Sequence, residues 1–441
     1  MHILVDGYNI SLKKGTGIET YARKLVATIK EKNHKCSILY DFPSYPVRSK
    51  NPILDEILLF DAIDKSHEKF RSKQFNAKYK CIIQLMKSII LPLKPRQFKK
   101  FTYVNHKIFE SRLLPSDIVM NLPDLYYISI IYFKIFKKLM KIKLEGVDIA
   151  HWTYPLPIRA VNAKNIYTIH DLVPLKLPNT TLDDKQYHYR LIQEICRKAD
   201  HIITVSEHSK NDICSTFDVP ENFISNTYQV TDFSDSPTPE NDEKHGSLIR
   251  KLYGLKYKEY FVAIGAIEPK KNYQRLFEAY MSADIQKPLA VIGPLGWSYK
   301  KELDLLRRSE TNKRRKGIAK NQQIVRLGYV PREHLKTIIK GAVALVFPSL
   351  YEGFGLPVLE AMQLGTPVIA SNAASIPEIG GDAPLYVNPY SSESIEKALI
   401  RVCREPELRN EMSSKGLEKA KKFSFKWYSK RINEIYESVL K

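Results

Sequence analysis

The chain has 441 residues, more than one ordinary domain needs and comfortable for two. Apolar residues make up 44% and charged residues 27%, which excludes wholesale disorder and a collagen-like fibre. Lys and Arg number 69 against 48 Asp and Glu, a formal charge of +21 that predicts an anionic partner: nucleic acid, a membrane surface or a phosphorylated substrate.

The opening MHILVDGYNI reads as a buried strand, not as a leader with a charged end and a long apolar run. Beyond it, strand segments are predicted at 3–5, 37–40, 147–151, 166–169 and 202–205, with helices at 19–29 and 207–213. Residues 43–145 are long for a connection between strands and read as an irregular, basic insertion. Their apolar runs at 81–93 and 125–133 are too short for a spanning helix of ~20 residues, so the protein is expected to be soluble or to rest on a membrane without crossing it. The polar stretch SDSPTPENDEKHGS, 234–247, reads as an exposed linker. After it come strands at 260–264, 289–292, 324–327, 342–347, 367–370 and 385–387, with helices at 273–280, 332–340, 358–364 and 392–403. Alternating β and α with continuous apolar strands means parallel sheets covered on both faces. The tail, 423–440, has helical spacing. Five cysteines are scattered with no C-x-x-C, which argues against a disulfide framework or zinc site and for a reducing compartment.

The most informative segment is ALVFPSLYEGFGLPVLEAMQLGTPVIAS, 344–371. A strand runs into a loop with Gly353 and Gly355, and Pro357 opens a helix, where its fixed φ suits the first position. Glycines let backbone approach a ligand, and a helix start offers unpaired N–H groups to an anion. Glu352 before the loop and Glu360 in the expected first turn are surplus for phosphate alone. They suit a ligand whose phosphate is surrounded by hydroxyls, a nucleotide-sugar; a capped strand–loop–helix turn is the plainer alternative. In FVAIGAIEPKKNYQRL, 261–276, Lys270 and Lys271 follow a strand and a Gly turn, where they would neutralise a diphosphate or simply form a solvated basic turn. Gly15 and Gly17 precede the first helix but lack the third glycine of a dinucleotide fingerprint. His170 and Asp171 end a strand in YTIHDLVPLKLP, 167–178, which is also a common place for a structural histidine.

Together these segments resemble glycosyltransferase family 4, the retaining GT-B enzymes, and within it bacterial mannosyltransferases of polysaccharide assembly. The E-x7-E pattern stands as Glu352-GFGLPVL-Glu360, and GTGIETYARKL, HDLVPL, VSEHSK, GAIEPKKN and LGYVP follow in the family's order. The resemblance implies two facing Rossmann-like domains with a donor cleft between them: an acceptor domain over 1–233, a nucleotide-sugar domain over 248–422, and a helix over 423–441 crossing back to the first. It implies that Glu360 holds the donor ribose and that Glu352 contacts the transferred sugar. Backbone amides of Phe354, Gly355 and Leu356 would meet sugar and phosphate. Lys271, with Lys270, would stabilise the diphosphate, Gly17 would lie near the distal phosphate, and His170 would face the sugar. Many members carry Arg after the glycine of the diphosphate strand; here that residue is Ala266, which shifts the phosphate charge onto Lys270, Lys271 and the helix start.

The expected reaction is hexose transfer, mannose from GDP-mannose being the donor indicated, to a lipid-diphosphate-linked or oligosaccharide acceptor in cell-surface polysaccharide synthesis such as O-antigen. The nucleotide-sugar is a co-substrate; no cofactor is expected, and with no Asp-x-Asp in the chain no metal either. A nucleotide-sugar epimerase on the same fold and a basic nucleic-acid-binding protein are the alternatives, though no nucleic-acid recognition motif is visible. The charge is local: residues 65–112 carry +11, 132–143 carry +5 and 300–320 carry +6. The first two mix lysines with aromatics and aliphatics, which suits an anionic membrane face as well as a solvated surface. The expected location is therefore the cytoplasm, with peripheral contact to the inner face of the cytoplasmic membrane as its refinement.

Overall fold

The computed structural model describes residues 1–10, 17–42, 51–65, 75–98, 113–231, 233, 242–297, 299–300, 302, 304–305 and 324–441. The first strand, β1 (His2–Asp6), is buried at every position, as a parallel strand between two helical layers must be. It pairs in parallel with β2 (Lys35–Tyr40) on one side and β6 (Ile149–Trp152) on the other, Ile3 opposing both Cys36 and Ile149. With β3 (Arg96–Phe98), β4 (Ile118–Asn121), β8 (Lys164–Thr168), β9 (His201–Thr204) and β10 (Ile224–Asn226) they form an eight-stranded sheet in the order β10-β9-β8-β6-β1-β2-β4-β3. Only the edge strand β3 is antiparallel, pairing Arg96 with Asn121. A separate pair joins β5 (Met140–Ile142) to β7 (Ile158–Ala160).

Among the described residues, seven α-helices accompany this sheet: α1 (Gly17–Glu31), α2 (Pro52–Lys65), α3 (Phe75–Ile90), α4 (Leu125–Phe136), α5 (Val173–Lys176), α6 (Lys185–Lys198) and α7 (Glu207–Phe217). α1 is amphipathic: Tyr21, Ala22, Leu25, Val26 and Ile29 fall on one stripe and are buried against the sheet.

The second sheet is all parallel, in the order β13-β12-β11-β14-β15-β16, from β11 (Phe261–Ile264), β12 (Leu289–Ile292), β13 (Ile324–Gly328), β14 (Ala344–Phe347), β15 (Val368–Ser371) and β16 (Leu385–Val387). Its order reverses between β11 and β14; that of the first sheet reverses between β1 and β6. Such reversals open a crevice at the strands' carboxyl ends, where ligands of open α/β sheets bind.

The C-terminal helix, Phe425–Leu440, crosses back to the first sheet. It buries Tyr428, Ile432 and Tyr436; Asn433 hydrogen-bonds His34 at 2.8 Å, and the Tyr436 hydroxyl meets His151 Nδ1 at 2.7 Å.

Two expectations need correction. Residues 43–145 are not all insertion: β4 and α4 inside that range are part of the main sheet and its covering layer. The signal is weak because β4 has four residues and α4 is apolar on nearly all sides. The expected linker over 234–247 also ends early, since residues from 242 onward form the helix Asp242–Tyr253; residues 234–241 lie outside the described residues.

Candidate active site

The crevice between β11 and β14 is lined by two loops. After β11 the chain turns through a 3-10 turn, Pro269–Lys271, and Asn272 then adopts a left-handed conformation, φ 61°. Asn272 Nδ2 donates to Pro348 O at 3.0 Å and Pro389 O at 2.6 Å, and Leu350 N donates to Lys270 O at 2.8 Å. These bonds fix the lysine loop against the loop that follows β14.

That fixing brings a carboxylate between two lysines. Lys271 Nζ lies 2.6 Å from Glu352 Oε1 and 4.9 Å from the Phe347 ring centroid; Lys270 Nζ lies 3.9 Å from Glu352 Oε2 and 4.0 Å from Glu268. Glu352 is buried. Burial pushes its pKa up, but Lys271 and Lys270 together outweigh burial and hold it below the ordinary 4.5. Burial likewise pulls the Lys270 ammonium down, and Glu352, with Asp171, Glu268 and Asp183 behind it, reverses this and raises the pKa. With Glu268 included, two lysines meet two carboxylates, so the charges balance, and the paired ammonium groups could turn to a further anion.

Next along the chain, Gly355 is the N-cap of helix Leu356–Gln363, with φ 108°, a region that L side chains rarely adopt. No side chain caps this helix start; Pro357 has no N–H and Val358 N bonds back to Gly355 O at 3.0 Å, which leaves the Leu356 amide for another partner. Gly17 stands across from it: a Cβ on Gly17 would lie 3.1 Å from Leu356 Cδ1, so the starts of α1 and of this helix face each other. Phe354 is a core residue, its ring edge-on to Phe423 at 5.8 Å, and its carbonyl accepts from Ser375 Oγ at 2.9 Å. Glu360 is buried but lies beyond the first turn, because the helix begins at Leu356, so the expected first-turn position is corrected.

Gly353 is used differently from what the sequence suggests. It meets the other domain's backbone: a Cβ there would come 2.4 Å from His170 O and 3.0 Å from Asp171 Cβ. Ser206, the N-cap of α7, donates to Gly353 O at 2.7 Å, and Ser209 Oγ donates to His170 O at 2.8 Å. Glu378 completes the junction by accepting from Glu207 N at 2.8 Å and His208 N at 3.1 Å at the start of α7. Ser206, Ser209 and Glu207 lie in VSEHSK; the contacts themselves are invisible in the sequence, because their partners are 39 to 171 residues away.

His170 sits beside this junction with both ring nitrogens engaged. Nε2 is 2.9 Å from Thr153 O, so it carries the proton and donates; Nδ1 faces Gln229 Nε2 at 3.4 Å. Burial lowers its pKa, and the ring is neutral at neutral pH.

Between the two halves lies a cavity of about 210 Å³. His170, Asp171, Tyr154, Asp183 and His188 line it from one side and Glu268, Lys270 and Trp297 from the other. Of the predicted residues, His170 and Lys270 reach it; Lys271, Glu352, Gly17 and Leu356 lie around the neighbouring crevice, and Glu360 is buried in the helix behind it. His188 Nε2 and Gln229 Oε1 are buried without a hydrogen-bond partner among the described residues, polar capacity that a ligand would satisfy. Asp183 and His188 were not singled out from sequence; the one available signal is Asp184, which caps α6 by accepting from Tyr187 N at 2.9 Å. Among the described residues no group of His, Cys, Asp or Glu is arranged to hold a metal.

Two facing parallel sheets, a cleft at their carboxyl ends and a C-terminal helix crossing back define the GT-B class. Solved structures share it across the whole chain: sucrose-phosphate synthase from Thermosynechococcus elongatus superposes with a TM-score of 0.65 at 15% identity, covering 100% of this chain and 99% of that one. Anabaena HepE, in complex with UDP and glucose, gives 0.64 at 13% identity over 99% and 100%. Residues 248–419 match the family of glycosyl transferases group 1, and residues 103–227 match glycosyltransferase family 4. Among curated relatives, O-antigen chain mannosyltransferase B of Escherichia coli is 34% identical over 275 residues, 61% of this chain and 68% of the relative. The serotype-specific mannosyltransferase WbdA of Escherichia coli is 27% identical over 278 residues, 62% of this chain but only 33% of its own length. The chain belongs to the group 1 glycosyltransferases.

Proposed function

We propose that this glycosyltransferase moves a mannosyl residue from GDP-mannose to a lipid-linked or oligosaccharide acceptor in the assembly of a cell-surface polysaccharide such as O-antigen, with retention of anomeric configuration and without a metal. The observation that carries the reading is the Lys270–Glu352–Lys271 triad beside an uncapped helix start, at the point where the second sheet reverses order. The two relatives named as mannosyltransferases support the choice of sugar.

In this reading the donor diphosphate takes its stabilisation from Lys270, Lys271 and the amide of Leu356. Glu352 orients Lys271 and accepts from sugar hydroxyls, and Glu360 receives the ribose. The bond from the anomeric carbon to the leaving phosphate oxygen breaks with its electron pair going to that oxygen. The acceptor hydroxyl oxygen bonds to the anomeric carbon on the same face, and its proton passes to the departing phosphate. Negative charge builds on the diphosphate as this happens, and fixed cations in a partly dry crevice stabilise it without reorganising. His170, neutral and held by Thr153 and Gln229, shapes the sugar side of the cleft.

A melting screen with GDP-mannose, UDP-glucose and ADP-glucose tests the donor, since a ligand that binds the folded state alone raises the melting temperature. GDP-mannose is expected to give the largest rise, and turnover is expected to survive EDTA. A larger rise with a uridine or adenosine donor would replace the donor named here; loss of turnover in EDTA, restored by a divalent ion, would remove metal independence.

A further inference from the structure

Helix α3 turns its apolar side outward. Leu85 packs on the core beneath the first sheet and Ser88 is buried, bonding back to Leu85 O at 2.6 Å. The opposite stripe is Ile82, Met86, Ile89 and Ile90, spaced i, i+4, i+7 and i+8, the pattern that normally marks a core-facing side. Here it is exposed: 57% for Ile82 and Met86, 79% for Ile90, with Leu91 just past the helix at 68%. α3 packs against α4, whose Tyr127 and Ile135 are exposed as well. A large contiguous apolar face on a folded protein marks an interaction site.

The charge around this face is mainly positive. Lys87 is exposed beside the α3 stripe; Lys134, Lys137, Lys138 and Lys141 are exposed at and after the end of α4; no acidic residue occurs in 75–98 or 125–143, and Asp55 and Glu145 nearby pair with Arg96 and Lys94. Apolar side chains with a fringe of lysines complement a bilayer with anionic headgroups, which offers acyl boundary and negative charge together. Neither helix spans: no described helix is long and apolar enough to cross a membrane. The buried side of α4 reaches toward the cleft. Tyr126 of α4 stacks edge-on with Tyr8 at 5.1 Å, Tyr8 stacks on Tyr154 at 5.9 Å, and Tyr154 lines the cavity.

We infer that the α3–α4 face docks on an anionic membrane surface, with Ile82, Met86, Ile89, Ile90 and Leu91 entering the headgroup–acyl boundary and the lysines pairing with lipid phosphates. Docked in this way, the protein carries the first-domain side of its cleft next to the membrane, where a lipid-linked acceptor resides. That last consequence rests on the transfer reading above; the docking does not.

The test is co-sedimentation of the full chain with vesicles of phosphatidylcholine alone and of phosphatidylcholine with phosphatidylglycerol, at low and high salt, with no donor or acceptor present. Binding is expected to the anionic vesicles only, and to weaken with salt. Met86→Glu/Ile90→Glu is expected to lower partitioning at least tenfold. Lys134→Ala/Lys137→Ala/Lys138→Ala is expected to lower it by roughly a hundredfold, since each lysine near such a surface is worth about fivefold. Because all five side chains are exposed, both variants are expected to melt like the parent, and a Lys397→Ala control on an exposed surface of the second domain is expected to bind normally. Absence of binding to anionic vesicles at low salt would overturn the proposal. So would variants that bind undiminished, or a parent chain that is a stable dimer which Met86→Glu/Ile90→Glu dissociates without changing vesicle binding; that result would assign the face to a second copy. Failure here leaves donor binding and transfer untouched, so the two readings fall separately.

Discussion

At the residue scale the decisive feature is one carboxylate between two lysines. Glu352 was legible because its motif places it one residue before a glycine loop, and Lys271 because it follows a strand and a glycine turn. That the two meet at 2.6 Å was not legible, since 81 residues separate them. The pairing gives Glu352 a pH signature. Its folded pKa lies below the ordinary 4.5, so its contribution to stability is present above that value and is lost as pH falls through the folded value. Glu352→Gln is therefore expected to narrow its melting gap to the parent as pH drops below 4.5, and to lower turnover tenfold or more at neutral pH, ~1.4 kcal/mol of transition-state stabilisation. Scanning calorimetry across pH, paired with nucleotide-release rates, reads both. A gap that widens in acid would mean that the carboxylate gains nothing from its lysines.

At the scale of elements, the junction between the domains turns on Gly353. Its missing side chain lets the β14 loop rest on the backbone of His170, and the hydroxyls of Ser206 and Ser209 close the gap. From sequence this glycine looks like a ligand-approach position, as Gly355 does, because a glycine's neighbour in space leaves no mark on local pattern. Gly353→Ala would drive a methyl into a carbonyl 2.4 Å away, and the overpacking is expected to cost about 1–3 kcal/mol and to lower turnover by wedging the cleft. Melting and turnover that match the parent would show that the junction yields. The elements that sequence reading missed share a cause. β4 offers four residues to a period-2 or buried-run test, and α4 mixes buried Leu125, Tyr126, Ile128 and Phe133 with exposed Tyr127 and Ile135, so no clean face repeats. The long strand–helix alternation elsewhere was legible because buried parallel strands are uniformly apolar.

At the scale of the whole molecule, the chain closes on itself through the C-terminal helix, and the buried neutral His151 bonds into that closure. Burial lowers the His151 pKa to about 3, with small repulsion from His170 and His201, and its two ring nitrogens meet Tyr436 and Thr168. Its contribution is complete above the unfolded value of 6.5 and is lost as pH falls from there toward about 3. Burial lowers His201 likewise, to about 4. The melting temperature is expected to fall steadily below pH 6.5, and Tyr436→Phe, which strips a partner from a buried ring nitrogen, to lower it at every pH by the equivalent of about 1–3 kcal/mol. A melting temperature flat from neutral pH to pH 4 would contradict this.

In the proposed reaction Lys271 and its neighbours drive glycosyl transfer from a nucleotide-sugar. Its most direct test is transfer of labelled mannose from GDP-mannose to a lipid-linked glycan fraction, with the parent and Lys271→Ala side by side and the anomeric configuration of the product read by NMR. Product is expected from the parent with GDP released one for one and configuration retained, and transfer by Lys271→Ala at least tenfold slower in a protein that still folds. Transfer by Lys271→Ala at the parent's rate, or donor converted without release of nucleotide, would contradict it.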